Sequence, residues 1–161
     1  MFEKYLTETV TTMNKKGAFV GSGESPPDLM YIGGCLMGWF WNRPVLIVPV
    51  RKSRRIYGVI ERSKQFSVSV PRKDLSKVLI ECAEAGDRYV NQFEHLHLHP
   101  RACRKIGGYI VGDCGLHYEC RVIYTADMDK ELVLSEIKAD WYANDDYHSL
   151  FYGEIATVYE T

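Results

Sequence analysis

The segment Arg51–Arg55, RKSRR, concentrates positive charge next to a serine hydroxyl. Its flanks predict a strand over Val45–Val50, a helix that starts with Ser53 as N-cap, and a second strand over Gln65–Val70. Cations at a helix N-terminus oppose the helix dipole, so this cluster is a poor choice for helix stability. With the free backbone N–H groups it suits a bound anion such as phosphate. A solvated basic turn is the alternative, and these residues alone do not decide between the two.

A second stretch, Tyr31–Trp41, mixes three glycines with aromatic side chains in the sequence YIGGCLMGWFW. Glycine lets the backbone approach a neighbouring group closely, and aromatic rings supply flat apolar surface. The stretch therefore suits contact with a planar ligand. A buried strand with a bulge is the alternative, and without the arginines downstream it would be preferred.

The composition limits the classes of protein to which the chain can belong. Its 161 residues, with 46% hydrophobic and 25% charged, are typical of one soluble globular domain, 1–161. The net charge of -1 gives no overall attraction to nucleic acid or to a membrane surface, so neither partner is expected. No apolar run approaches the roughly 20 residues that span a bilayer, and Met1–Asn14 is too polar for a signal peptide. We expect a cytoplasmic protein.

The cysteines and histidines do not form a recognisable metal or disulfide pattern. Five cysteines without a CxxC pair predict reduced thiols, with Cys82 and Cys120 in the core. In an extended segment His95, His97 and His99 would share one side, which could bind a metal. No carboxylate or thiolate has a supporting spacing, so we predict no metal site.

The common catalytic and nucleotide-binding motifs are absent. The sequence contains no GxSxG turn for a nucleophilic serine, no GxGxxG after a strand and no GxxxxGK[ST]. The paired carboxylates Asp145 and Asp146 lie in a polar segment, where solvation explains them. A phosphate site in this chain must therefore be built in another way.

The remaining elements predict a mainly β chain with helices inserted between strands. Further strands are predicted at Gly17–Val20, Leu29–Ile32, Gly115–Thr125 with His117 and Glu119 on a solvent-exposed face, and Leu150–Tyr159 broken near Gly153. Helices are predicted at Leu75–Ala85, within AGDRYVNQF, and at Lys130–Trp141. No regular βαβ alternation is present, which favours an antiparallel β-barrel with helical insertions.

Four pieces of the sequence, in this order, resemble the flavin reductase-like family and within it most closely the flavoredoxin branch. They are PDLMYIGG before WNRP, VRKSRRIYGVIE followed by FSVSVP, AGDRYVNQF, and ECRV followed by DYHSLFYGEI. The resemblance covers nearly the whole chain. It implies an FMN-binding split barrel, usually a homodimer, with the flavin at the barrel rim near the subunit interface.

The resemblance also implies which residues contact the flavin. The loop along the isoalloxazine ring would consist of Met30, Tyr31, Ile32, Gly33, Gly34 and Cys35. The other cofactor contacts would be Arg51, Ser53 and Arg54 at the phosphate, Ser67 at the ribityl chain, and Gly86, Arg88 and Gln92 from a further segment. His148, before the last strand, would position a substrate near the flavin.

The resemblance implies an NAD(P)H-dependent flavin oxidoreductase, in which NADH or NADPH reduces the FMN. An electron carrier that is reduced by a redox partner protein is the second hypothesis. The third is a binding module with a weakened or lost FMN site. It is favoured by departures from the family: Gln92 where a Lys is common, Ile56 where a Thr is common, Tyr31 and Gly33 where a Thr and a Ser are common, and an extra residue near each of Asp87 and Gly38.

Overall fold

The computed structural model describes residues 1–161 and has one large antiparallel sheet. The strands are β1 (Ala18–Ser22), β2 (Asp28–Ile32), β3 (Leu36–Phe40), β4 (Arg43–Arg51), β5 (Gln65–Pro71), β6 (Pro100–Ala102), β7 (Tyr109–Val111), β8 (Gly115–Asp127) and β9 (His148–Glu160). Seven of them form the sheet in the order β2-β1-β5-β8-β9-β4-β3, and β6 pairs with β7 in a separate two-stranded ribbon. The predicted mainly β class and the strands flanking the RKSRR segment are confirmed.

Five helices are inserted between these strands. They are α1 (Leu6–Lys15), α2 (Arg55–Ser63), α3 (Ser76–Ala85), α4 (Gln92–His95) and α5 (Ser135–Trp141), with 3-10 turns at Glu3–Tyr5 and Lys130–Leu132. The predicted helix Leu75–Ala85 is confirmed as α3, which ends at Gly86 with φ 57°. None of the helices is long and apolar enough to cross a membrane. The cytoplasmic location stays a prediction.

Two hydrophobic clusters lie on opposite faces of the sheet. The inner cluster of 20 buried residues joins Met13 of α1 and Ile60 of α2 to the strands, including Met30 of β2 and Leu46 of β4. Since strands near both ends of the order share this cluster, the sheet curves around it. The outer cluster of nine residues includes Phe19 of β1 and Leu79 of α3. Helices α1 and α2 therefore pack on the inside, and α3 packs on the outside.

The exposed face predicted for β8 is wrong. His117 and Glu119 are both 0% exposed. The β6–β7 ribbon and the loop that joins its two strands cover them. The Glu119 carboxylate accepts hydrogen bonds from the backbone N–H groups of Arg104 and Lys105, each at 2.6 Å. Alternating polar residues normally indicate solvent on one face. Here distant backbone donors replace the solvent.

The predicted break in the last strand is also wrong, because β9 runs from His148 to Glu160 without interruption. Gly153 lets the ring of Phe66 pack directly against the backbone of β9, since a Cβ there would lie 2.4 Å from Cζ of Phe66. Two register shifts interrupt the pairing of β9 with β8: one leaves residue 123 of β8 without a partner opposite Tyr152–Gly153, and the other leaves residue 156 of β9 without one. A glycine in a strand thus marked a close approach rather than a break.

Three further predictions of local structure need correction. The helix predicted over Lys130–Trp141 is divided, because Leu134 has extended backbone angles and α5 starts only at Ser135. In the AGDRYVNQF segment Ala85 ends α3, and the next helix starts only at Gln92. The alternative of a buried strand for Tyr31–Trp41 does not hold either, since β3 is an edge strand with Trp39 57% exposed.

Cysteine burial agrees with the sequence. All five cysteines are free thiols, and Cys82 and Cys120 are both 0% exposed. Cys82 belongs to the outer cluster and Cys120 to the inner one. Both pack as small apolar side chains, as predicted.

Candidate functional site

The start of α2 is capped by a carboxylate from a distant segment. The sequence predicted Ser53 as its N-cap, and this is wrong. Arg54 occupies that position, with extended backbone angles and no capping side chain. The hydroxyl of Ser53 instead donates to Oδ2 of Asp146 at 2.6 Å. The N–H of Arg55 donates to Oδ2 of Asp87 at 2.8 Å. A negative charge is stabilised at this end of a helix, and Asp87 provides it.

The side chains of Arg54 and Arg55 extend this contact. Arg54 Nε lies 3.3 Å from Oδ1 of Asp87, and Arg55 donates to the Asp87 carbonyl at 3.1 Å. Arg55 Nε also donates to Oδ1 of Asp28 at 2.7 Å, at the first residue of β2. Burial raises the pKa of Asp28, and the hydrogen bond from Arg55 acts against this. The Nη2 atom of Arg54 is buried without a hydrogen-bond partner.

Arg51 connects the other side of the cluster to the start of β9. It donates to the carbonyl of Trp141 at 2.9 Å and to the carbonyl of Asp146. Its guanidinium lies 5.2 Å from the ring centroid of Tyr142, whose hydroxyl is 2.6 Å from Nδ1 of His148. Burial, followed by the charge of Arg51, lowers the pKa of His148. The imidazole is therefore neutral at pH 7.

Four segments that are remote in sequence thus meet where β4 passes into α2. We call this group the α2-start cluster; it consists of Asp28, Arg51, Ser53, Arg54, Arg55, Asp87 and Asp146. It brings the predicted phosphate residues next to Gly86, which precedes Asp87, and close to His148. Three arginines face three aspartates, so the charges of the cluster balance.

The predicted ring loop lies at the opposite end of β2 from Asp28. Met30 and Ile32 are buried in the inner cluster, and the N–H of Gly34 donates to the carbonyl of Met13 at 3.0 Å. A Cβ on Gly34, at φ 85°, would meet nothing within 4 Å. Burial raises the pKa of Cys35 to about 11, so its thiol stays protonated at neutral pH. Beside the loop is a cavity of about 390 Å³, lined by Asn14, Ile32, Gly33, Gly34, Cys35, Leu36 and Pro49.

Tyr31 of this loop points to the other side of β2. Its ring packs beside Gly17 and Gly33, where an added Cβ would come within 2.2 Å and 2.7 Å of ring or hydroxyl atoms. Tyr31 contacts the outer cluster and lines a separate cavity of about 350 Å³ with Ile80 of α3. The loop therefore faces two cavities, one on each side of the sheet.

The other predicted contacts are divided between the site and the scaffold. Gln92 is 2% exposed and uses its amide inside the protein: Oε1 accepts from the N–H of Leu29 at 2.7 Å, and Nε2 donates to the carbonyl of Gly86 at 3.0 Å. Arg88 is exposed beside Asp87. Ser67 is buried on the outer face, donating to the carbonyl of Tyr109 at 2.8 Å. Ser67 and the residues of the ring loop do not take part in the hydrogen bonds of the α2-start cluster.

The three alternating histidines do not form an extended strand. His95 ends α4 and stacks on Tyr89 at 3.5 Å, His97 has φ 53°, and Nδ1 of His99 is 3.0 Å from Asp113. No group of three His, Cys, Asp or Glu side chains could hold a metal ion. Each histidine has its own surroundings, so the common face that the alternation suggested does not exist.

A family model described as "Flavin reductase like domain" matches residues 10–159. The chain belongs to the flavin reductase-like family. This confirms the family that the four sequence pieces indicated, and the match includes every residue of the α2-start cluster and of the ring loop.

Several solved structures have a similar fold. Flavoredoxin from Methanosarcina acetivorans is 22% identical with a TM-score of 0.69, over 91% of this chain and 68% of that one. Flavoredoxin of Desulfovibrio vulgaris is 19% identical with a TM-score of 0.70, over 90% and 69%. An NADH:FAD oxidoreductase from Streptomyces globisporus is 16% identical with a TM-score of 0.70, over 99% and 84%. The predicted split barrel is confirmed. A search of curated proteins gave no match.

The residues that the resemblance assigned include Arg51 and Arg54 of the cluster, but neither Arg55 nor any of the three aspartates. Asp28, Asp87 and Asp146 were not among the predicted site residues, and neither was Tyr142. One signal for them was present in the sequence. Three closely spaced arginines at a helix start require nearby anions, and the extra residue near Asp87 placed one within reach.

Proposed function

We propose that the protein is a flavin-dependent oxidoreductase that binds FMN and accepts electrons from NADH or NADPH. The observation that carries the proposal is the meeting of three of the four remote segments at the start of α2, inside a domain of the flavin reductase-like family. The resemblance predicted that two of these segments reach the cofactor and that the third, through His148, positions a substrate beside it. Their convergence supports a common ligand.

The chemistry of the donor groups supports an anionic tail on that ligand. Arg51, Ser53 and Arg54 offer guanidinium and hydroxyl donors, and Nη2 of Arg54 is buried with no partner. Charge-assisted hydrogen bonds of this type are what a phosphate oxygen accepts. Asp87 and Asp146 already accept from part of this set, so a phosphate would have to share the donors or displace a carboxylate.

The Gly33–Gly34 turn supports the ring end of the same ligand. Gly34 has open space at its Cβ position and lines the cavity of about 390 Å³. A bound flavin would supply the redox chemistry, and the protein would supply binding, orientation and exclusion of water. His148 would position a substrate with a neutral imidazole whose Nδ1 is fixed by Tyr142.

The purified protein tests this function directly through its visible absorption. We expect a yellow protein, or one that turns yellow with added FMN, and bleaching when NADH or NADPH is added anaerobically. Bound flavin that resists nicotinamides but is reduced by a partner protein would indicate the electron carrier instead. A colourless protein that ignores added flavin would contradict the proposal.

The carboxylates at the start of α2 favour one second candidate, a binding module with a weakened FMN site. Asp87 occupies the helix N–H that a phosphate would use, and Gln92 uses its amide within the protein. Titration of FMN against tryptophan fluorescence separates the two candidates. Micromolar or tighter quenching would be inconsistent with a lost site.

We also propose that the protein is a homodimer. The edge strand β3 and its surroundings carry an exposed aromatic surface: Trp39 at 57%, Phe40 at 52%, Trp41 at 51% and Tyr124 at 50% exposure. Exposed apolar surface on an edge strand is typical of an interface. Light scattering should give twice the chain mass, and Trp41→Lys should shift the protein towards monomer. A monomeric wild type at micromolar concentration would contradict this proposal.

A further inference from the structure

Asp87 occupies the position where the phosphate of FMN would be expected. Its carboxylate accepts from the N–H of Arg55 at 2.8 Å and lies 3.3 Å from Nε of Arg54. Its backbone carbonyl accepts from Nη1 of Arg55 at 3.1 Å. An anion at the start of α2 would use the same groups. The chain therefore carries its own anion at this site.

The turn that carries Asp87 is held in place. Gly86 has φ 57°, a conformation that favours glycine, and its carbonyl accepts from Nε2 of Gln92 at 3.0 Å. The N–H of Arg88 donates to the carbonyl of Ala85 at 3.1 Å. Gln92 is 2% exposed and is also bonded to Leu29. These contacts keep the carboxylate over the helix start.

The balance of charge around the helix start also opposes a phosphate. Within the α2-start cluster the three arginines are equal in number to Asp28, Asp87 and Asp146. Of the neighbouring cations, Lys52 is paired with Asp127 and Arg88 is exposed to solvent, so little positive charge is left for a dianion. The side chains of Arg54 and Asp87 are only 23% and 28% exposed, which limits screening by solvent. A phosphate placed here would face two carboxylates at short range.

We propose that Asp87 is a specificity-determining residue that substitutes for the flavin phosphate at α2, so that the protein prefers riboflavin to FMN. This inference rests on the proposed function in that it requires a flavin at this site, and it refines which flavin that is. The ring and ribityl chain of riboflavin are those of FMN, and its terminal hydroxyl brings no charge to the balanced cluster.

The pair riboflavin and FMN provides the test, because the two ligands differ only in the phosphate. Dissociation constants should be measured for both by quenching of flavin fluorescence, in wild type and in Asp87→Asn. Asparagine keeps an oxygen that caps the helix and removes the charge. We expect wild type to bind riboflavin at least as tightly as FMN. In D87N, FMN affinity should rise about tenfold while riboflavin affinity changes by less than about twofold.

Glu131→Gln is the matched control. Glu131 is exposed in the 3-10 turn Lys130–Leu132 and is not bonded to the α2-start cluster. This variant also removes one negative charge, but outside the cluster, so the ratio of the two dissociation constants should stay at the wild-type value. An equal gain in FMN affinity in E131Q would attribute the effect to net charge and overturn the role of Asp87.

Two further results would overturn the inference. One is wild-type protein that binds FMN about tenfold more tightly than riboflavin, and the other is an unchanged ratio in D87N. If neither flavin binds, the proposed function fails. Whether Asp87 excludes an anion can then be tested by thermal unfolding in inorganic phosphate and in chloride at equal ionic strength. Stabilisation by phosphate in D87N and not in wild type would support exclusion of an anion by Asp87; no difference would overturn it.

Discussion

Two carboxylates in this protein cap backbone N–H groups of distant segments, yet their surroundings differ. Glu119 is 0% exposed and accepts from the N–H groups of Arg104, Lys105 and Ile106 and from the hydroxyl of Tyr159. Asp87 is partly exposed and accepts from the backbone N–H of Arg55 and from Nε of Arg54, whose Nη2 has no partner. The Glu119 site is closed and fully bonded, so it serves the fold. The Asp87 site is only partly covered, so the fold depends less on its carboxylate, which leaves Asp87 free to act on the choice of ligand.

Isosteric removal of the charge at Glu119 should give the largest effect on stability. In Glu119→Gln an amide NH₂ replaces an acceptor that faces four donors, and buried donors are left without partners. We expect a loss of roughly 2 to 4 kcal/mol in the free energy of unfolding, measured in urea. The control is Glu84→Gln on the exposed surface of α3, which should change stability by less than about 0.5 kcal/mol. Similar values for both variants would mean that the closed site is not required by the fold.

The same closed face should make the protein sensitive to acid through His117. Its ring is buried, 3.1 Å from Oγ of Ser69 and 3.0 Å from Oγ1 of Thr161, and burial lowers its pKa to about 4. Between that value and the ordinary His pKa of about 6.5, the unfolded chain binds the proton and the folded protein does not. Stability should therefore fall as pH decreases from 7.5 to 5, by about 2 kcal/mol from this residue.

The His117→Gln variant isolates this contribution. It removes the titrating group, so the difference in unfolding free energy between pH 7.5 and 5 should be smaller in the variant than in wild type. Urea unfolding at both pH values measures it. Equal pH dependence in the two proteins would show that protonation of His117 does not destabilise the folded state.

An intermediate effect is expected at Arg55, which connects the open cluster to β2. Arg55→Met leaves the Asp28 carboxylate, only 6% exposed, without its cation. We expect a loss of about 1 to 2 kcal/mol at pH 7, reduced from that of a fully buried pair because Arg55 is partly exposed. Arg43→Met removes an exposed pair with Glu154 and should cost less than about 1 kcal/mol.

The loss in Arg55→Met should shrink at lower pH, and the direction follows from Asp28. Burial already raises the pKa of this carboxyl, and without Arg55 the pKa rises further. The folded variant then takes up a proton more readily than the unfolded chain, so acidification from pH 7 to 5 restores part of its stability. A destabilisation that stays constant over this range would contradict a buried, unpaired Asp28.

The contrast between the two carboxylates also explains which features the sequence predicted. The strand, basic turn, helix and strand around Arg51–Arg55 were predicted because β-branched runs and helical spacing are local signals. The solvent-exposed face of β8 was wrong because the groups that bury Glu119 come from residues 104–106, and no local pattern reports a distant cover. Local periodicity describes an element but not what packs on it.

In the candidate site, too, the residues that are contiguous in sequence were predicted and the contacts between distant segments were not. The resemblance indicated Arg51, Ser53 and Arg54, since the motif is contiguous in the chain. It did not indicate that Asp87 caps α2, because that contact depends on a turn 32 residues away in sequence. The same distance explains the error at Ser53. Its hydroxyl could cap the helix by spacing alone, but Asp146 offered it a stronger, charged acceptor.

The smallest expected effect on stability is that of Asp87→Asn, the counterpart of Glu119→Gln. Asparagine caps helices about as well as aspartate, and the polar groups around Asp87 have access to solvent. We expect the free energy of unfolding to change by less than about 1 kcal/mol, against roughly 2 to 4 kcal/mol for Glu119→Gln, in parallel urea titrations. If Asp87→Asn proved as destabilising as Glu119→Gln, the carboxylate at α2 would be a structural cap like Glu119. A carboxylate that the fold requires would need no role in ligand selection to explain its position at the start of α2.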